Sequence, residues 1–148
     1  MIEPEDRSRR LEVPAQIYEA MVAHSRFSYP EEACGLLAAD GTGRLRMAYC
    51  LTNAEHSESS YTIDPTEHFR ALQHAESRGW DLTGAFHSHP YSSAFPSSTD
   101  VRLAAEPDWV YFIVGLRGAP HVRGFFLKQG AIHEIALHVF HGVTPGSA

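Results

Sequence analysis

The run Gly84-Ala85-Phe86-His87-Ser88-His89-Pro90, separated by six residues from Ser97-Ser98-Thr99-Asp100, constrains this chain more than any other stretch. Successive strand side chains alternate faces, so two histidines two positions apart at the end of an apolar run share one face. Both imidazoles can then reach one ion. The proline-bounded loop from Pro90 to Pro96 leads into a Ser/Thr cluster able to cap a helix. Asp100 falls in the first turn of that helix, where a carboxylate complements the helix dipole. Two imidazoles and one carboxylate make three metal ligands. For zinc, that count leaves a fourth position for water, which is the arrangement of a catalytic site rather than a closed structural one.

The rest of the composition limits the alternatives. At 148 residues, with 43% hydrophobic and 20% charged residues, the chain is expected to be one globular domain whose core needs no disulfide staples. A formal charge of −6, with no basic run beyond Arg9-Arg10, argues against a nucleic-acid partner and leaves a protein or a small molecule. Cys34 and Cys50 belong to no Cys-x-x-Cys pair, so neither a disulfide framework nor a thiolate cage is indicated, and both are expected to be reduced core residues. Met1 to Arg10 lacks the apolar centre of a signal peptide, and no run approaches the ~18 apolar residues of a membrane span. The expectation is a cytoplasmic protein without membrane contact; its oligomeric state is not readable.

Taken in order, residues 1 to about 12 read as a flexible lead-in. Pro14 stands at the first turn of helix one, where proline is tolerated, and Val13, Ile17, Ala20, Met21 and His24 recur at helical spacing as far as Phe27 to Tyr29. Leu36 to Ala39 and Leu45 to Leu51 flank the turn signal Asp40-Gly41-Thr42-Gly43 and should pair as a hairpin. Asp64-Pro65-Thr66-Glu67 predicts helix two with a capping box, a buried stripe of Phe69, Leu72 and Ala75, and a stop at Gly79. Leu82 to His89 is the strand of the histidines, and Gly84 in it signals close packing. Ser97 to Ala105 is a third helix, Trp109 to Leu116 a buried strand, and Val122 to Leu127 with Ala131 to Val139 a second hairpin; the tail from Gly142 is expected to be disordered. Three helices among about six strands make a single α/β domain, residues 13 to 141, with a mixed central sheet.

Other His-x-His chemistries fit poorly. A cupin site wants a glutamate three or four residues on, and Tyr91 to Ala94 offers none. A (β/α)₈ barrel needs ~250 residues. A zinc deaminase needs a Pro-Cys-x-x-Cys, which is missing.

The remaining pattern, His-x-His-Pro, six residues, then Ser-x-x-Asp, resembles the JAMM (MPN+) metalloprotease motif in every fixed position. An upstream glutamate is also expected and is found as Glu32 in Pro30-Glu31-Glu32-Ala33-Cys34-Gly35. The resemblance runs from about Ala15 to Val139. Within the family, the short length, the Glu-Ala-Cys-Gly sequence, the Thr52 to Glu55 turn and the Tyr61 to Pro65 segment look like the small prokaryotic branch. Actinobacterial members of that branch release cysteine from the C-terminus of a ubiquitin-like sulfur-carrier protein.

The resemblance implies the JAMM/MPN (cytidine-deaminase-like) fold, one Zn2+ per chain on His87, His89 and Asp100, and a partner that is a ubiquitin-like or sulfur-carrier protein ending Gly-Gly. Zinc so ligated lowers the pKa of its water towards ~7. Glu32 would carry the water proton to the leaving amine, and Ser97 would donate to the oxyanion. Substrate would lie as an added strand between the Asn53 to Tyr61 and Tyr91 to Phe95 loops. Simpler readings stand beside these. Glu31-Glu32 can be a solvated helix end, Ser97 only an N-cap, Asp100 a first-turn charge, and Ser88 a packing residue on the opposite face. The other eight histidines read as surface or core, with His138 and His141 the nearest thing to a second metal pair. Trp109 and Tyr111 read as sheet core. Two other functions remain open: a non-catalytic MPN module that binds such a partner, and a hydrolase of small peptide conjugates.

Overall fold

The computed structural model describes residues 10–142. Residues 1–9 of the expected lead-in and 143–148 of the expected tail lie outside the described residues. Seven strands form one mixed sheet: β1 (Arg10–Pro14), β2 (Cys34–Ala39), β3 (Leu45–Leu51), β4 (Asp81–His89), β5 (Val110–Gly115), β6 (His121–Lys128) and β7 (Ala131–Phe140). Three helices accompany them: α1 (Ala15–Ser28), α2 (Pro65–Ser77) and α3 (Ser98–Leu103). The spatial order is β1-β7-β6-β5-β4-β2-β3. The β1/β7 and β4/β5 pairs are parallel and the others antiparallel. The sheet curls until its edge strands β1 and β3 approach each other.

Alternation along the central strands separates two cores. Leu37, Phe86, Phe112 and Val114 join Val13, Ile17 and Met21 on the α1 side. Leu36, Ala85, Tyr111 and Ile113 join Ala71 of α2 on the other. All six residues of β2 and all six of β5 are buried, as strands covered on both faces must be. β4 passes between them, so its last residues enter the middle of the molecule.

Close backbone approach sets several glycines. A Cβ on Gly84 would meet the Val110 carbonyl at 2.6 Å, in line with the packing role expected for it. A Cβ on Gly35 would meet Phe86 Cε1 and the Tyr49 carbonyl, each at 2.2 Å. Both glycines press β4 against its neighbours.

Five local expectations need correction. Residues 10–12, expected in the lead-in, pair in parallel with β7, and Val13 is a buried strand residue instead of the first of a helical stripe. Pro14 is the N-cap of α1, which begins at Ala15. In α2 the inward residues are Ala71 and Ala75, while Phe69 is 59% exposed. Asp64 does accept from Thr66 N and Glu67 N, both at 3.0 Å, but Glu67 accepts from Thr52 N instead of closing a capping box. Cys50 is exposed; Cys34 alone is a buried core thiol. Trp109 packs against the core and Tyr111 lies within it, as expected. No helix among the described residues is long and apolar enough to cross a membrane.

Two outcomes follow from this packing. Gly35→Ala should lower the urea-unfolding free energy by about 3 kcal/mol through overpacking, with an unchanged m-value. Gly41→Ala, which meets nothing within 4 Å, should stay within about 0.5 kcal/mol. Burial pushes the Cys34 thiol up to about 12, so a disulfide thiol reagent at pH 8 should titrate one cysteine in the native protein and two after denaturation. Rapid native modification of both would contradict the buried position of Cys34.

Candidate metal centre

The centre forms where β4 ends. The β2–β4 ladder pairs Cys34 with His87 and is prolonged by Ser88 N, which donates to Ala33 O at 3.1 Å. One further step of the same register sets Glu32 opposite His89. On the other flank Leu116 N donates to His89 O at 3.1 Å, continuing the β4/β5 pairing. His87 and His89 therefore project from the most enclosed part of the sheet, and both are buried.

Asp100 arrives through a loop that is itself pinned. Ala94 is fully buried against Gly115, where an added Cβ would sit 3.1 Å from Ala94 N and Cβ. Phe95 meets Phe125 edge-on at 5.7 Å, and the Arg123 guanidinium covers both rings. Glu134 holds that guanidinium by two hydrogen bonds of 2.7 Å. Ser97 then caps α3: its Oγ accepts from Asp100 N at 3.1 Å, while Asp100 Oδ2 accepts from Ser97 N at 2.9 Å. This reciprocal box is the local reason that Asp100 points back towards the strand.

The three side chains converge. His87 Nε2 lies 3.1 Å from Asp100 Oδ1, His89 Nε2 lies 3.0 Å from Asp100 Oδ2, and the two Nε2 atoms are 3.1 Å apart. Zinc–ligand distances of about 2.0–2.1 Å in a tetrahedron put neighbouring ligands about 3.3 Å from each other, so the donors already stand near that spacing. His89 Nδ1 donates to Ser93 O at 2.7 Å, a bond that assigns the proton to Nδ1 and leaves the Nε2 lone pair inward. Tyr61 stacks on His87 at 4.7 Å and fixes its ring plane. Among the described residues this is the one group of His, Cys, Asp and Glu side chains able to share an ion. His138 pairs instead with Glu12 across β1 and β7.

The electrostatics fit the same reading. Burial opposes the charge on Asp100, but hydrogen bonds from His87 and His89 outweigh it and hold the carboxyl well below the usual carboxylate range. Burial lowers His87, whereas for His89 the Asp100 and Ser93 contacts overcome burial and raise it. An anionic carboxylate beside an imidazole that burial keeps neutral, with the His89 Nε2 lone pair turned inward, is a donor set suited to a divalent cation. The Glu32 carboxyl is pushed up to about 7 by burial, with His89 pulling it down and Asp100 pushing it up. Its Oε1 has no hydrogen-bond partner although it is buried. A buried unpartnered carboxyl oxygen calls for a further polar group at this spot. Glu31, by contrast, faces outward to His56 at 3.3 Å.

Asn53 is a residue that periodicity and motif both overlooked. Buried, it donates from Nδ2 to Glu32 O and Ser60 O, each at 3.0 Å, and accepts on Oδ1 from Glu55 N and Thr62 N. Its one sequence signal was its place in the Thr52 to Glu55 turn. A cavity of about 230 Å³ opens beside His87 and Asp100, lined by Ser60, Tyr61, Leu103 and Tyr111. Ser60, Tyr61 and Thr62 line one side of this cavity, and Thr99, Asp100 and Leu103 of α3 line another.

Known proteins share this framework. A family profile described as prokaryotic homologs of the JAB domain matches residues 14–128. The CysO-cysteine peptidase of Mycobacterium tuberculosis is 38% identical over 133 residues, covering 87% of this chain and 90% of the relative. A desampylase of Haloferax volcanii is 37% identical over 112 residues, covering 72% of this chain and 81% of the relative. A solution structure of a Desulfitobacterium hafniense protein superposes with a TM-score of 0.81 at 33% identity, covering 90% of this chain and 94% of that one. The sheet order, the histidine pair and the breadth of these matches agree: the chain belongs to the prokaryotic JAB (JAMM) domain family.

Proposed function

We propose that the protein is a zinc-dependent peptidase that hydrolyses the amide bond after the C-terminal Gly-Gly of a ubiquitin-like or sulfur-carrier protein. Release of cysteine from a carrier–cysteine adduct is the specific case. The observation that carries this reading is the convergence of His87, His89 and Asp100, with the unpartnered carboxyl of Glu32 held across the β2–β4 register from His89 and interacting electrostatically with His89 and Asp100. The names of the relatives, a CysO-cysteine peptidase and a desampylase, support the substrate class.

In this reading His87, His89 and Asp100 hold one zinc ion. Bound there, zinc supplies Lewis acidity to the scissile carbonyl and lowers the pKa of a water molecule to ~7. Glu32 would be the group that accepts a proton from the water attacking the carbonyl carbon. The same proton passes to the nitrogen as the C–N bond breaks, leaving a carboxylate and a free amine. Burial raises the Glu32 carboxyl above the ordinary glutamate range, which favours a group that accepts a proton and then donates it. Ser97 uses its oxygen to cap α3, and its hydroxyl hydrogen has no acceptor among the described residues, so it can donate to the oxyanion.

Metal analysis should find about one zinc per chain. Zinc should raise the melting temperature of the metal-free protein, and Asp100→Ala should abolish that rise. Glu32→Gln should keep the zinc and lose activity by about a hundredfold or more. Zinc-free protein, or a Glu32→Gln variant as active as the parent, would leave a non-catalytic binding module. Cleavage of a carrier protein bearing a C-terminal cysteine should exceed cleavage of the free tail peptide at equal concentration. Equal rates would instead indicate a hydrolase of small conjugates.

A further inference from the structure

We infer that Ser88 is a positioning residue for Glu32, coupling the proton-transfer group to the two imidazoles that flank it in sequence. The inference rests on the reading of Glu32 as the acid/base group.

Ser88 lies between His87 and His89, and strand alternation turns it to the opposite face of β4. There it is fully buried. Packing alone does not explain a hydroxyl at this position, because Ser88 Oγ accepts from the Ala33 backbone N–H at 2.8 Å. Ala33 directly follows Glu32, at the point where the chain enters β2. Three anchors fix the backbone around Glu32. Its N–H donates to Ser57 O at 2.8 Å, its carbonyl accepts from Asn53 Nδ2 at 3.0 Å, and the next N–H donates to Ser88 Oγ. Two of these come from the 53–60 loop. The third comes from the strand that carries the histidines, together with the Ser88 N–H donated to Ala33 O.

The pair of bonds between Ala33 and Ser88 closes a short ring linking Glu32 to His87 and His89 through one residue on each side. Any shift of β4 then carries Glu32 with it, and the distance from carboxyl to imidazoles is preserved. Removing the hydroxyl leaves Ala33 N–H buried without its acceptor and frees Glu32 to move relative to the centre. Misplacement of a reacting group by about 1 Å costs on the order of a hundredfold in rate.

The test uses the zinc-loaded full chain and a carrier–peptide substrate. Ser88→Ala should retain one zinc, leave KM within about twofold and lower kcat by about tenfold to a hundredfold. In the metal-free protein the Ala33 amide should exchange with solvent at least about tenfold faster in the variant. Ser88→Thr, which keeps the hydroxyl, should hold kcat within about threefold of the parent. In a Glu32→Gln background, Ser88→Ala should cost no further kcat, because the group being positioned has gone. An equal loss in both backgrounds, or a variant with lower stability but parental kcat, would overturn the inference while leaving Glu32 as the acid/base group. Parental activity in Glu32→Gln alone would overturn that reading and the inference with it. If Ser88→Ala does not fold, Ser88→Cys, of similar size but with a weak acceptor, replaces it with the same expectations.

Discussion

The antiparallel register of β2 on β4 determines what the centre of this molecule can be. Cys34 lies across from His87, and each step towards the loop brings one more residue of the Glu32 segment opposite the ligand strand. A slip of one residue would turn every side chain of β4 to its other face, sending the imidazoles into the α1 core and Phe86 into the pocket. Burial of Phe86 and Phe112 on one side and of Ala85 and Ile113 on the other penalises that slip. The hydrophobic pattern that folds the sheet therefore also aims the histidines. Gly35 and Gly84 add a second restraint, since backbone and ring atoms occupy the space where their Cβ atoms would be.

Charge is distributed around this frame with little redundancy. One carboxylate, Asp100, is shared by two imidazoles, and its own position depends on the Ser97 cap. The second carboxyl, Glu32, stays apart from these bonds and retains an open oxygen. Two buried acids in one pocket are thus given different proton affinities by their neighbours. Asp100 is held anionic by hydrogen-bond donors, and Glu32 is raised by desolvation. Separation of this kind is what the proposed roles of anchor and proton carrier require.

Much of this was legible in the sequence because it is local. The Asp40 to Gly43 turn, the Asp64-Pro65 helix start and the Ser97 to Asp100 cap are all encoded within a few residues, and each forms. The His-x-His-Pro and Ser-x-x-Asp spacing likewise led to residues that meet. What escaped reading is long-range. Leu11-Glu12-Val13 has no strand pattern of its own and becomes β1 through pairing with β7, more than a hundred positions away. The face of α2 is set by its packing on the sheet, where Ala71 turns in and Phe69 turns out. Asn53 and Ser88 act through single hydrogen bonds to backbone, which leave no periodicity behind. Glu32 was visible through its motif alone; its burial and open oxygen are tertiary facts.

The pinned segment between His89 and Asp100 has a consequence for metal selectivity. Ala94 against Gly115, with Phe95 held under Arg123, fixes the approach of the third ligand before any ion arrives. Little reorganisation energy would then be spent on uptake, and the fixed donor spacing would disfavour an ion of the wrong size. A preformed set of two nitrogens and one oxygen follows the Irving–Williams order, so copper would compete well and manganese poorly. With such donors, discrimination among ions of similar size would fall to metal availability rather than to the chain.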